Sequence, residues 1–350
     1  MTTIEWTRGD DGSEGKSWNP LRGCTRVSQG CENCYAERVA ARFSGHGKPY
    51  EGLAEMTSKG PRWTRKVRFV EDALTLPLRW KKPARVFVNS MSDLFHEDVP
   101  DEWIDRIFAV MALAPQHTFM VLTKRPERMR TYIRGLAERH SADGNMRLSP
   151  QTVLTETAMR GKMLGNIAVE TMLLLTRTWP LKNCWLGVSV EDQARADERI
   201  PILLDTPAAV GFISAEPLLG PVNIDRLTLA HGEVVGRAFG PGIDTVVLTL
   251  NALAGAPKTG IPALNWVIVG GESGPNSRPC DLAWIRSIVG QCKAAGVPCF
   301  VKQLGSCPKT ERGLRDRDGV LVCGYPRLHD RKGGDTLEWP PDLRVREWPA

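Results

Sequence analysis

The stretch "HTFMVLTKRPERM", residues 117–129, sets the fold. Phe119 to Leu122 form an unbroken apolar run, and Lys124, Arg125 and Pro126 end it abruptly. A run that does not alternate reads as a strand buried on both faces, as in a parallel sheet. The pattern recurs in "RVFVNSMSDLF" (85–95), "CWLGVSVEDQ" (184–193), "AVGFISAEPLLGPV" (209–222), "NWVIVGGESGPNSRP" (265–279) and "PCFVKQLGS" (298–306). Helical stripes lie between several of these runs. "VPDEWIDRIFAVMALAP" (99–115) places Trp103, Ile104, Ile107, Phe108, Met111 and Ala112 on one face behind a Pro-Asp-Glu start, which suits the positive end of a helix dipole. "DQARADERIPILLDTP" (192–207) reads the same way, and so does "CDLAWIRSIVGQCKAAGV" (280–297), with a glycine near its end. Strand and helix in regular alternation predict an α/β architecture, either a (β/α) barrel or a doubly wound open sheet.

Each run ends in polar residues on its carboxyl side: Asn89, Ser90 and Asp93; Lys124 and Arg125; Glu191 and Asp192; Glu216; Glu272 and Ser273; Lys302 and Gln303. In a barrel those ends meet at one mouth, and in an open sheet they line one edge. Lys124, Glu191, Glu216 and Lys302 are the catalytic candidates. Asn89, Ser90, Asp93, Gly270, Gly271, Glu272 and Gln303 are the cofactor-binding candidates. The Gly270-Gly271 pair would let backbone N–H groups approach a cofactor closely. The competing reading makes Glu191 and Glu216 partners of Lys124, Arg125 or Lys302 in internal ion pairs.

The chain of 350 residues is 42% hydrophobic and 25% charged, ordinary for a globular protein and here read as one domain over 1–350. Residues 136–182 and 223–263 interrupt the rhythm and read as insertions. The segment 306–350 carries two tryptophans in "HDRKGGDTLEWPPDLRVREWP", which suggests an extension packed back on the body. No apolar run is long enough to cross a membrane, and the polar, acidic start lacks a signal-peptide core. The expectation is a cytoplasmic protein without a membrane partner.

Nine cysteines, an odd number, do not suit a disulfide framework. Three of them crowd into "GCTRVSQGCENCYAE" (23–37): Cys24, Cys31 and Cys34. Soft thiolates favour zinc or an iron–sulfur cluster. A structural zinc needs a fourth ligand, which His46 could supply. Three thiolates and a missing ligand also fit a [4Fe–4S] cluster with one open iron. Three unrelated thiols are the bland alternative. Cys184, Cys292 and Cys299 read as small core residues. Cys280 and Cys307 lie nearer strand ends. Net charge is +6, which favours an anionic partner. The basic, aromatic stretches "KGPRWTRKVRFV" (59–70) and "RWKKPARV" (79–86) would suit a nucleic-acid backbone with stacked bases, or simply a solvated positive face.

Taken in order, "WNPLRGCTRVSQGCENCYAERVA", "VFVNSMSDLFHEDVP", "VLTKRPERM", "WLGVSVEDQ", "ISAEPLLGPV", "VIVGGESGP", "FVKQLG" and "DRKGGD" resemble a phage- and prophage-associated family of uncharacterised function. That family in turn resembles the radical S-adenosylmethionine (SAM) enzymes. The resemblance implies a partial or full (β/α) barrel of TIM type, with a three-cysteine loop after the first strand. It implies Cys24, Cys31 and Cys34 as ligands of a [4Fe–4S] cluster whose open iron is chelated by SAM. Reductive cleavage would then yield methionine and a 5′-deoxyadenosyl radical. It further implies a flavodoxin- or ferredoxin-type reductant, and the phage association suggests a nucleic-acid or nucleotide substrate. The loop departs from the usual spacing: six residues separate Cys24 from Cys31, Asn33 precedes Cys34, and the aromatic Tyr35 follows it. The radical SAM "GGE" motif normally follows the second strand, whereas Gly270-Gly271-Glu272 lies near the sixth. Asn89 to Asp93 stands in the expected place, and Ser90 and Asp93 could bond the SAM amino group. The alternatives are a zinc-stabilised, non-enzymatic nucleic-acid-binding phage protein, and a barrel that keeps a cluster without cleaving SAM.

Overall fold

The six apolar runs and a further short strand at Lys16–Trp18 pair into one parallel sheet in the computed structural model, which describes residues 4–9, 12–136, 138–139, 148–163, 179–229, 249–256, 258, 260–315, 321–324 and 326–349. The strands are β1 (Lys16–Trp18), β2 (Arg85–Val88), β3 (Thr118–Thr123), β4 (Cys184–Ser189), β5 (Val210–Ala215), β6 (Trp266–Gly270) and β7 (Cys299–Gln303). Their order in the sheet is their order in the chain, with β1 and β7 at the ends. β1 runs parallel to β2, β2 to β3, β5 to β6 and β6 to β7. An order that never reverses has no topological switch point, so the doubly wound alternative falls away.

Burial explains the apolar runs. All six residues of β4 and all five of β6 are buried. Among the described residues the helices of eight residues or more are α1 (Tyr35–Arg42), α2 (Asp101–Leu113), α3 (Pro126–Leu136), α4 (Pro150–Arg160), α5 (Gln193–Leu204) and α6 (Leu282–Ala295). α2 opens with Asp101 and Glu102 and buries nine of its residues, Ile104 and Phe108 among them. Asp192 caps α5 by accepting from Arg195 N at 2.8 Å. Asp281 caps α6 at Ala283 N, 2.9 Å, and Gly296 ends it with φ +69°. α4 falls inside the expected insertion 136–182. Ser149 caps it and Pro150 begins it, a start signal the weak periodicity concealed. Much of both insertions, 136–182 and 223–263, lies outside the described residues.

The chain divides into two units, Met1–Gly187 with Thr206–Val210, and Val188–Asp205 with Gly211–Ala350. In the first, Leu21–Arg22 pairs with Arg68–Phe69, and a hairpin of Ala54–Thr57 with Gly60–Trp63 packs on α1. Ala36, Ala40, Ala54, Trp63 and Met91 form a small core there, with Cys24 and Cys34 packed against it. In the second, the C-terminal segment folds over β7. Val301 N donates to Val345 O at 2.8 Å and Glu347 N to Cys299 O at 2.9 Å. Trp339 is buried, and Trp348 meets the Phe300 ring at 5.0 Å. Among the described residues no helix is long and apolar enough to cross a membrane.

Candidate functional site

The cysteine loop begins at a backbone crossing that only glycine permits. Gly23 has φ +93°, and a Cβ there would stand 2.1 Å from Lys66 O. Cys24 follows; Cys31 closes a short 3-10 turn, and Cys34 immediately precedes α1. A parallel bridge from Gly23 to Ser92 ties the loop to the segment after β2.

Two arginines clamp the loop. Arg26 donates through Nε to both carboxylate oxygens of buried Glu37, which also accepts from Trp63 N at 2.9 Å. Arg125 reaches Thr25 Oγ1 at 2.6 Å, Glu97 at 2.6 Å and Asp93 at 3.1 Å. Its Nη1 stands 4.0 Å from Cys24 Sγ. His96 is fully buried. Its Nδ1 accepts from Asp98 N at 3.1 Å, so the proton sits on Nε2, which donates to Thr25 Oγ1 at 2.9 Å. Burial, then the charge of Arg125, lowers the His96 pKa and favours this neutral form.

The three thiols share one electrostatic neighbourhood. Burial, then Asp93, pushes the Cys24 thiol up to about 12; Arg125 pulls it back, and Cys34 and Cys31 add to the rise. Burial also raises Cys34, against the backbone N–H groups of Glu37 and Ala36 at the start of α1 and against Lys124. The charge of Lys124, a catalytic candidate, thus acts on Cys34 in the direction that lowers its pKa.

Thiolates are soft donors that suit zinc or an iron–sulfur cluster, and neither is tested by the arrangement of these three thiols alone. Among the described residues no group of three or more His, Cys, Asp or Glu is gathered to hold one metal ion. His46 does not join the thiols. Its side chain is 99% exposed, and it pairs with Glu51 at 2.9 Å.

After β2, Asn89 adopts φ +56°. Its Oδ1 accepts from Leu21 N at 3.3 Å, and its buried Nδ2 has no hydrogen-bond partner. Ser90 Oγ donates to Asn19 Oδ1 at 3.1 Å, and Tyr35 donates to Ser90 O at 2.7 Å. Asp93 is engaged by the protein itself. One oxygen accepts from Phe95 N and Thr123 Oγ1, the other from Lys124 N and Arg125 Nη1. It positions the loops after β2 and β3.

A family model described as a protein of unknown function (DUF5131) matches residues 1–338. The chain belongs to the DUF5131 family. No curated protein and no solved structure matches it.

The second unit of this DUF5131 protein holds the remaining candidates. Lys302 Nζ bonds both Glu216 oxygens at 2.8 and 2.9 Å, and Gln303 Nε2 bonds Glu216 at 2.9 Å and Gly271 O at 3.0 Å. Glu191, fully buried, pairs with Arg199 at 3.1 Å, not with Lys124, Arg125 or Lys302. Glu191 Oε1 and Arg199 Nε have no hydrogen-bond partner. Glu272 is taken up by Arg278, through Nε at 3.0 Å and Nη2 at 2.6 Å. Gly270 and Gly271 do make a close backbone approach, but to the chain itself. A Cβ on Gly271 would stand 2.3 Å from Leu304 O.

Sequence reasoning missed Thr25, Arg26, Glu37, Glu97 and Arg199. Their partners lie 8 to 100 residues away, and no local motif joins them. The aromatics of 59–70 turn inward. Trp63 is buried in the small core, and Phe69 meets Trp103 at 5.3 Å and the Arg106 guanidinium at 4.6 Å.

Proposed function

We propose that this DUF5131 protein is an iron–sulfur enzyme of radical SAM type, in which Cys24, Cys31 and Cys34 hold a [4Fe–4S] cluster with one open iron. One observation carries the reading. The three-thiol loop follows the first strand of a sequentially ordered parallel sheet and is bridged to the polar loop after the second. The reading extends the fold to a partial or full (β/α) barrel of TIM type and places the protein in the cytoplasm. It also keeps the resemblance to a phage- and prophage-associated family and a nucleic-acid or nucleotide substrate.

The cluster would supply one-electron reductive cleavage of SAM to methionine and a 5′-deoxyadenosyl radical. The chain's own residues do the rest. Burial raises the Cys24 and Cys34 thiols overall, and the charges of Arg125 and Lys124 offset part of that rise, in the direction of the thiolates a metal needs. The Arg26 and Arg125 clamps fix the loop before anything binds, which preorganises the donors. The Asn89 amide and the Ser90 hydroxyl orient polar groups of SAM. In the second unit, Glu216, Lys302 and Gln303 present a fixed charged group to polar atoms of a substrate. A flavodoxin- or ferredoxin-type protein delivers the electron.

The test is anaerobic purification with iron, sulfide and zinc measured per chain, beside a variant with Cys24, Cys31 and Cys34 all changed to Ala. The expected result is about four irons and four sulfides, lost in the variant. About one zinc without sulfide overturns the reading and makes the loop a structural staple. Iron with no SAM cleavage after reduction would reduce it to a cluster-holding barrel.

A further inference from the structure

The ten residues "KGPRWTRKVR" (59–68) carry five cations and no acid. Lys59, Arg65, Lys66 and Arg68 are exposed, and Arg62 is half-buried. Packing fixes the stretch in place. The hairpin of Ala54–Thr57 with Gly60–Trp63 is pinned to α1 by Ala54 and Trp63, which share the small core with Ala36 and Ala40. Those alanines take the inner side of α1 and leave Val39 and Phe43 exposed. Strand alternation carries Arg62 to the side away from Trp63. Beyond the hairpin, Arg65 holds φ +68°, a left-handed conformation uncommon for any residue but glycine. Lys66 then crosses the chain at Gly23, whose missing Cβ admits the Lys66 carbonyl.

Elsewhere in the same unit arginines are matched to carboxylates. Arg26 holds Glu37, Arg106 holds Glu71, Arg125 holds Asp93 and Glu97, and Arg139 holds Asp105. The cations of 59–68 differ: among the described residues none of the five forms an ion pair. Their guanidiniums go to backbone carbonyls. Arg62 donates to Pro61 O at 2.9 Å and Arg68 to Glu51 O at 2.5 Å. Arg22, directly opposite Arg68 in the pairing of Leu21–Arg22 with Arg68–Phe69, donates to Pro49 O at 3.1 Å. The Glu51 carboxylate is taken up by His46 and Gly47 N, and Glu55, across from Arg62 in the hairpin, forms no ion pair with it. Like charges directly opposite on paired strands repel. Setting Arg22 against Arg68 with no carboxylate bonded to either leaves a place for an external anion. Guanidinium forks match phosphate oxygens two at a time, and several cations in succession fit a chain of phosphates better than one small ion.

We propose that residues 59–68, with Arg22, bind the phosphate backbone of double-stranded nucleic acid. Trp63 is buried and Phe69 packs on Trp103, so charge rather than ring surface faces out of this stretch. That favours the phosphates of a duplex over the stacked bases of a single strand. Lys66 crosses at Gly23, and Cys24 is next in the chain, so a duplex seated here borders the candidate site. The assignment rests on the nucleic-acid part of the proposed function for its link to turnover. The contact itself involves no metal and no bond made or broken.

The experiment is fluorescence anisotropy of labelled DNA and RNA duplexes of one sequence, titrated with the full chain over a range of salt. The test variant is Arg65→Gly, Lys66→Ala. Glycine suits φ +68°, so the charge is removed without backbone cost, and circular dichroism checks the fold. Arg331→Ala, Lys332→Ala, two exposed cations of the second unit, is the charge-matched control. The expected result is duplex binding by the natural sequence, weakened about tenfold or more in the test variant, with the slope of log affinity against log salt shallower by about two. The control should keep affinity and slope. A preference for the DNA or the RNA duplex names the polymer and supports the surface either way. No duplex binding by the natural sequence overturns the proposal. So does unchanged binding in the test variant, an equal loss in the control, tighter binding of a single strand, or capture of phosphatidylserine vesicles in place of either duplex. Iron and sulfide content, read on the same protein, test the proposed enzyme separately. A chain without iron that binds duplex through this face keeps the surface and loses the enzymology, and an iron-loaded chain that ignores both duplexes does the reverse.

Discussion

Arg125 Nη1 stands 4.0 Å from Cys24 Sγ. One buried guanidinium thus serves both the sulfur and the segments around it: the same Nη1 also holds Asp93, Nη2 holds Thr25 and Nε holds Glu97. Arg125→Gln strands the buried Asp93 carboxylate and releases Thr25. It should lower stability by about 3–5 kcal/mol, the usual cost of breaking a buried pair. Arg125→Lys keeps the charge but loses the planar fork, so it should recover only part of this. Urea unfolding of both variants checks the prediction: an unchanged midpoint in Arg125→Gln would show that the clamp contributes nothing to stability, and one in Arg125→Lys that the planar fork adds nothing to the charge.

Glu97 gives an acid-side signature. Burial raises its pKa, but the Arg125 hydrogen bond and charge outweigh that and bring it from 4.5 down to about 2. A folded-state value below the unfolded one means stabilisation that is present above pH 4.5 and lost as pH falls towards 2. The side chain is 57% exposed, so screening limits the contribution to about 1 kcal/mol. Glu97→Gln should flatten the decline of the urea midpoint over that window and leave the neutral-pH slope alone. An identical acid limb in the variant would refute the coupling.

The glycines after β6 predict a contrast. Gly271→Ala drives a methyl to 2.3 Å from Leu304 O, and relieving that clash should cost about 1–3 kcal/mol or more. Gly290, inside α6, has open space where a Cβ would stand, with nothing within 4 Å. Gly290→Ala should stabilise by about 0.5–1 kcal/mol. Thermal melts of the two variants should move in opposite directions; a shift of the same sign in both would contradict the packing described.

Glu191 and Arg199 form a buried pair in the second unit, each with one unpartnered atom. Arg199→Met leaves the carboxylate buried alone and should cost about 3–5 kcal/mol. The double variant Glu191→Leu, Arg199→Met should regain most of that loss, because no charge is then left unpaired. Strict additivity in the cycle would mean the two side chains do not interact.

The parts of the fold that depend on local pattern were legible in the sequence. The unbroken run Phe119 to Leu122 lies in β3, and the Pro-Asp-Glu start of α2 and the glycine after α6 stand where the helices begin and end. Chemistry that depends on distant partners was not legible. Nothing near Asp93 in sequence says that both its oxygens are already occupied. Nothing near Gly271 distinguishes a cradle for a cofactor from a crossing with Leu304. The outward face of α1 was hidden for a different reason: "YAERVAARF" has an ordinary amphipathic look, and only its packing reveals that the alanines went inside.

The backbone seam over β7 also bears on behaviour in concentrated solution. β7 is the last strand of its sheet, and Val345 to Glu347 supply the hydrogen bonds its open side would otherwise offer to any extended peptide. Peeling that seam away would bare a template for strand addition between copies. Aggregation of this protein should therefore track the attachment of these few residues more closely than the melting of its core.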